Sequence, residues 1–144
     1  PLVIAGVEIP FSKGLEGDSD GDVLVHAIID AMLGATAMGD IGTYFQFDHT
    51  KIKKGVFSGL LLKETLEIVG TEGFKIVNID STIIAELPVL KGHIPNMRRS
   101  LAEILGLPIG LISIKATTTD GMGFTGKGEG IAAQAVVGLE RAAE

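Results

Sequence analysis

Val23, Leu24, Ala27, Ile28, Ala31, Met32 and Ala35 recur at the three- and four-residue spacing of one helix face. Asp20 or Asp22 supplies an N-cap for this helix and Gly39 a stop. Leu60, Leu61, Leu66, Ile68 and Val69 predict a second amphipathic helix over residues 57–69. A third runs over about 95–105, with Pro95 at its first position and Gly106 beyond its end. Between the helices the pattern turns β-rich. Residues 2–10 read as a strand or hairpin around Gly6, and 74–86 as a strand carrying Ile76, Val77, Ile79, Ile83 and Ile84. Residues 111–118 are another strand; 131–139 fit strand or helix, with Val136 and Val137 favouring strand. Residues 40–55 read as irregular, and 119–130 as a glycine-rich loop. The order β-α-α-β-α-β-loop-β predicts one α+β (mixed α/β) domain, a mixed sheet with helices covering one face.

Composition narrows the picture. The 144 residues suit a single domain, and no repeat or linker divides them. Hydrophobic residues make up 46% but aromatic ones only 5%, so aliphatic side chains must build the core. Cysteine is absent, which excludes disulfides and thiolate metal sites and fits a reducing compartment. A net charge of −6 argues against a nucleic-acid surface, though not against a small anion held by metals and backbone amides. No apolar run approaches the roughly 20 residues of a membrane span. Pro1 leads directly into Leu2-Val3-Ile4-Ala5, which reads as the middle of an element, so a further N-terminal strand is expected upstream.

Three polar stretches carry candidate chemistry. In Gly17-Asp18-Ser19-Asp20-Gly21-Asp22-Val23-Leu24-Val25-His26 a calcium loop fails, because Val23 and Ile29 stand where its glycine and glutamate belong. What remains is Asp22, His26 and Asp30 at i, i+4 and i+8 on one helix face. An imidazole there can bind zinc, with a neighbouring carboxylate orienting its other nitrogen. On local grounds the plainer reading is favoured, with Asp22 a cap and His26 a satisfied residue at the core edge. The second stretch, Lys115 to Gly130, joins three consecutive threonines to a loop rich in glycine, a source of short donors for phosphate oxygens. Gly121 to Lys127 imitates a P-loop, but Gly128 replaces its Ser or Thr. A plain hairpin loop is the other reading. The third, Asp40-Ile41-Gly42-Thr43-Tyr44-Phe45, fits a simple helix stop and turn cap. His93 suits a structural place before a helix, and His49 a solvated face with Lys51, Lys53 and Lys54.

Taken in order, Asp-Ser-Asp-Gly-Asp-Val-x-x-His, Gly-Asp-Ile-Gly, His-Ile-Pro-x-Met-Arg and Lys-Ala-Thr-Thr-Thr-x-x-x-Gly-Phe-Thr-Gly-x-Gly-Glu-Gly-Ile-Ala resemble the 2-C-methyl-D-erythritol 2,4-cyclodiphosphate synthases across essentially the whole chain. The resemblance implies a homotrimer with active sites between subunits. It also implies a cytidine-diphosphate substrate whose second phosphate attacks the β-phosphorus, displacing CMP and closing a cyclic diphosphate. Zinc would be held by His26 together with an Asp-x-His pair upstream of Pro1, and magnesium or manganese by Asp120. Thr118 and Asp18 would act at the reacting phosphates, with Ser19, Thr117 and Thr119 beside them. Asp40, Ile41 and Gly42 would meet the ribose, near Phe45 and Asp48. Ala85, Pro88, Leu90 and Lys91 would frame cytosine. Phe124 and Lys127, with Glu129, would face the trimer axis, where the family can hold an isoprenoid diphosphate. The implied setting is the bacterial cytoplasm, or the plastid stroma after loss of a transit peptide.

This sequence departs from the family pattern at several positions. Asp18 replaces a usual His, Asp120 a usual Glu, Lys127 a usual Arg and Val89 a usual Lys; Phe47 falls near a usual Asp. An active synthase and a non-catalytic trimeric binding protein on the same fold are therefore both carried forward.

Overall fold

The computed structural model describes residues 2–11, 21–44 and 57–143. β1 (Leu2–Ile4) and β2 (Val7–Ile9) form an antiparallel hairpin turning at Ala5 and Gly6. α1 (Val23–Ala35), α2 (Ile41–Tyr44) and α3 (Phe57–Thr71) follow, then the long strand β3 (Phe74–Ile84). α4 (Ile94–Leu105) leads to β4 (Ile112–Thr117), a helical turn α5 (Gly123–Gly126) and the last strand β5 (Ala132–Arg141).

β3 is the middle of a three-stranded sheet ordered β4-β3-β5, parallel to β4 and antiparallel to β5. The parallel pair needs a crossover, and α4 provides it. Met97, Leu101 and Leu105 line the buried side of α4, and Gly106 caps its end at a left-handed φ of 63°. Arg98 ties this helix to the next strand by donating to the carbonyls of Ile112 and Ile109 at 2.8 and 3.0 Å. Ile79, Ile83, Ile112, Ile114 and Val137 point from the sheet into the core, where Leu24, Ile28, Ile29, Met32, Leu62 and Leu101 meet them. The aliphatic core expected from composition is what fills the space.

Alternation along the strands puts the remaining side chains on the other face of the sheet. Asp80, Thr82, Lys115, Gln134 and Val136 lie there, and no layer of the described residues covers them. Val136 is 72% exposed. Asp80 and Lys115 pair across the strands at 2.9 Å, and that ammonium, first among the causes, holds the carboxyl of Asp80 below its ordinary range.

Three details differ from the sequence reading. The hairpin is a sheet of its own rather than part of the main one. A short helix occupies part of the stretch read as irregular, because Asp30 and Asp40 supply acceptors for its first amides. The glycine-rich loop also contains a helical turn.

Candidate functional site

α1 carries a polar stripe that fastens three neighbouring segments. Asp22 is fully buried and caps α1 by accepting from the Val25 amide at 3.1 Å. The same carboxylate accepts from the amides of Ala5 and Gly6 at 2.9 and 2.8 Å, so it also clamps the hairpin turn. One helical turn on, Nε2 of His26 lies 3.4 Å from Oγ of Ser58, a buried hydroxyl at the start of α3. A further turn on, Asp30 accepts from the Ile41 amide at 2.9 Å. The expected role of a neighbouring carboxylate as orienter of His26 is thus replaced, for Asp30, by capping of α2.

Asp40 completes that cap. Its Oδ1 accepts from the amide and hydroxyl of Thr43 at 2.9 and 2.8 Å. The Thr43 amide, first among the causes, holds the Asp40 carboxyl below its ordinary value, so it is a carboxylate at neutral pH. Asp40, Gly42 and Thr43 are exposed and Ile41 is partly so.

The second group of predicted residues gathers where β3 and β4 end. The Ala85 amide donates to the Thr117 carbonyl at 3.0 Å, carrying the strand pairing one residue past β3. Beyond it the chain passes a cis peptide before Pro88 and a short helical turn at Lys91–His93. Ala85, Pro88, Leu90, Lys91, Thr117 and Thr118 converge here on one pocket of about 160 Å³, together with Glu86, Val89 and Ala116. Oε2 of Glu86 is shielded from solvent and has no hydrogen-bond partner among the described residues.

Thr118 and Asp120 stand at the rim as a hydrogen-bonded unit. The Thr118 hydroxyl donates to Oδ1 of Asp120 at 3.2 Å and receives the Asp120 amide at 3.3 Å. Asp120 sits at φ 54°, left-handed backbone that Asp tolerates better than most residues. Thr119 turns into the loop instead. Its hydroxyl meets the Met122 carbonyl at 2.6 Å and the hydroxyl of buried Thr125 at 2.9 Å. A Cβ at Gly126 would come within 2.3 Å of the Gly121 backbone, so the loop closes only with glycine there. Phe124, 56% exposed, rests against Gly130, and Lys127 and Glu129 are exposed nearby.

No residue of α1 or α2 lines the pocket at the end of β4. Among the described residues no three His, Asp or Glu side chains form a metal cage. His26 offers one imidazole and Asp120 one hard oxygen, donors of the right type for zinc and magnesium but too few to complete either site within the described chain. Asp18, Ser19, Phe45 and Asp48 lie outside the described residues. Ser58 and Thr125 were not singled out as site residues from the sequence, and Asp30 was read there only as a companion of His26 on its helix face. The only local signal was a hydroxyl or carboxylate interrupting an apolar pattern, and Thr125 stood in plain view within the Gly-Phe-Thr-Gly motif.

Residues 1–140 match the YgbB family. The chain belongs to the YgbB family. A 2-C-methyl-D-erythritol 2,4-cyclodiphosphate synthase from Clostridium botulinum is 52% identical over 140 residues, covering 97% of this chain and 90% of its own. The bifunctional IspDF of Campylobacter jejuni superposes with a TM-score of 0.91 at 41% identity, covering 98% of this chain but 38% of that protein. An IspF of Plasmodium falciparum, solved as a CDP complex, gives 0.86 at 27% identity, covering 99% of this chain and 85% of its own. Within this YgbB-family chain, the pocket and the capped α2 turn are the two places where the predicted site residues collect.

Proposed function

We propose that this chain converts 4-diphosphocytidyl-2-C-methyl-D-erythritol 2-phosphate to 2-C-methyl-D-erythritol 2,4-cyclodiphosphate and CMP. In this reaction an oxygen of the 2-phosphate bonds to the β-phosphorus. The bond from that phosphorus to the oxygen bridging to the α-phosphate breaks, and CMP leaves with the electron pair. The enzyme is then a phosphorus–oxygen lyase.

The observation that carries the reading is the convergence of Thr117 and Thr118 with the 85–91 segment on one pocket. A hydroxyl and backbone amides at a strand end suit nonbridging phosphate oxygens, while the adjoining Pro88 and Leu90 suit the flat face of a base. Transfer within one molecule depends mainly on positioning, which a rigid strand end supplies. Asp40, kept ionised and bonded through one oxygen, offers its carboxylate to ribose hydroxyls. Zinc at His26 and magnesium or manganese at Asp120 belong to the same proposal; when bound, such cations neutralise charge on the diphosphate.

Three chains are proposed to assemble, each pocket facing the α1–α2 half of a neighbour. Two features support this: no residue of α1 or α2 lines the pocket at the end of β4, and the sheet face bearing Val136 is uncovered among the described residues. An isoprenoid diphosphate near Phe124 and Lys127 on the axis, and a bacterial cytoplasmic setting, complete the proposal. Phosphorus NMR of the protein with substrate, zinc and magnesium tests it. Signals of CMP and a cyclic diphosphate are expected; unchanged substrate in a zinc-loaded trimer would overturn the reading.

A further inference from the structure

We infer that Asp30 is a positioning residue for nucleotide binding, acting through the α2 turn. This deepens the proposed function and rests on its assignment of Asp40 and Gly42 to the ribose. α1 and α2 are joined by five residues, 36–40, with Ala37 and Gly39 at left-handed φ of 57° and 92°. The amides of Ala37 and Met38 bond back to the carbonyls of Gly34 and Leu33 at 3.0 and 2.8 Å; these bonds close the end of α1 and do not reach the first amide of α2. Asp30 does reach it, from outside the connection. Its Oδ1 takes the Ile41 amide at 2.9 Å, eleven residues away, so the first amide of α2 is pinned to the outer face of α1. Asp40 then captures the Thr43 amide and hydroxyl through one oxygen only. The two carboxylates divide the free amides of the helix start between them, as capping requires. Asp30 thereby sets the position of Asp40 and Gly42, on the same helix that carries His26 one turn earlier.

Asp30 is exposed, so its replacement removes a tether without opening the core. A purely structural role predicts a change in stability and the same loss for every nucleotide. A positioning role predicts a loss confined to ligands with ribose hydroxyls. Calorimetric titrations with CMP and with 2′,3′-dideoxycytidine monophosphate separate the two. In Asp30→Ala, CMP affinity should fall about five- to tenfold, the worth of one hydrogen bond, while affinity for the dideoxy analogue stays within twofold of wild type. Asp30→Asn keeps an acceptor oxygen and should recover most of the CMP affinity. Protection of the Ile41 amide from hydrogen exchange should fall in the alanine variant and return in the asparagine one. An unchanged CMP affinity in Asp30→Ala, or an equal loss for both nucleotides, overturns the inference. Wild-type protein that binds CMP but leaves the substrate intact overturns the catalytic reading alone, and the titrations still judge Asp30. Wild-type protein that binds neither nucleotide overturns both.

Discussion

Removing the Asp22 side chain strands three backbone amides at once: Ala5, Gly6 and Val25. Loss of an N-cap costs about 0.5–2 kcal/mol, and a buried donor left without an acceptor adds about 1–3 kcal/mol. Asp22→Ala should therefore lower stability by about 2–4 kcal/mol in urea unfolding, with Asn restoring part of it. Asp40 gives a pH prediction of definite sign. Its folded pKa lies below the ordinary 3.8, chiefly because the Thr43 amide bonds the ionised form. Its stabilising contribution is full above the unfolded value and is lost as pH falls through the lowered folded value. An NMR titration of the Thr43 amide should show a midpoint under 3.8; a midpoint at or above that would remove Asp40 as the cap. Asp120 illustrates a residue choice with a backbone cause. At φ 54° a short carboxylate can bond to its own neighbourhood, as this one does with Thr118.

At the level of elements, the loop after β4 behaves as one unit because Thr119 and Thr125 close it from inside. Thr125→Val removes a buried hydroxyl while keeping its shape. It should cost about 1–2 kcal/mol of stability yet reduce CMP release by more than about tenfold, because Thr118 and Asp120 sit on the loop being held. Turnover at wild-type rate would show that the loop needs no such brace. The long elements were legible in the sequence for a simple reason: apolar spacing reports which face is buried. Met32 marks its helix, and Ile79 and Ile83 their strand, in that way, while Pro95 and Gly106 mark the ends of α4. Asp40 was legible as a turn cap, but the part of Asp30 in capping α2 was not. That bond links positions eleven apart through a backbone amide, which no side-chain pattern records. The pocket lay between these cases. Thr117 and Thr118 were recognisable by type, but their meeting with Pro88 and Leu90 follows from the parallel register of β3 and β4.

For the whole molecule the bare face of the sheet matters most. Val136 at 72% exposure stands among polar neighbours on a face that the helices leave open. A cyclic trimer would bring this face together around an axis. Val136→Glu should then weaken assembly by placing three like charges near that axis, while the secondary structure of each chain persists. Light scattering should show smaller species and CMP release should fall by about a hundredfold or more, because about 3 kcal/mol of lost site organisation suffices for that. A variant that remains trimeric would put the interface elsewhere.

That no residue of α1 or α2 lines the pocket at the end of β4 also bears on what happens when unlike chains mix. If each catalytic centre draws one half from each of two neighbours, damage to Asp40 and damage to Thr118 are lesions in different halves. A chain bearing Asp40→Ala still offers an intact pocket, and a chain bearing Thr118→Val an intact turn. Either variant alone should form only dead centres. Dissociated and reassembled together in equal amounts, they should restore about a quarter of the centres by random pairing around the ring. Two inactive proteins would thus complement each other in one tube, and a population carrying both alleles would retain flux that neither allele supports alone.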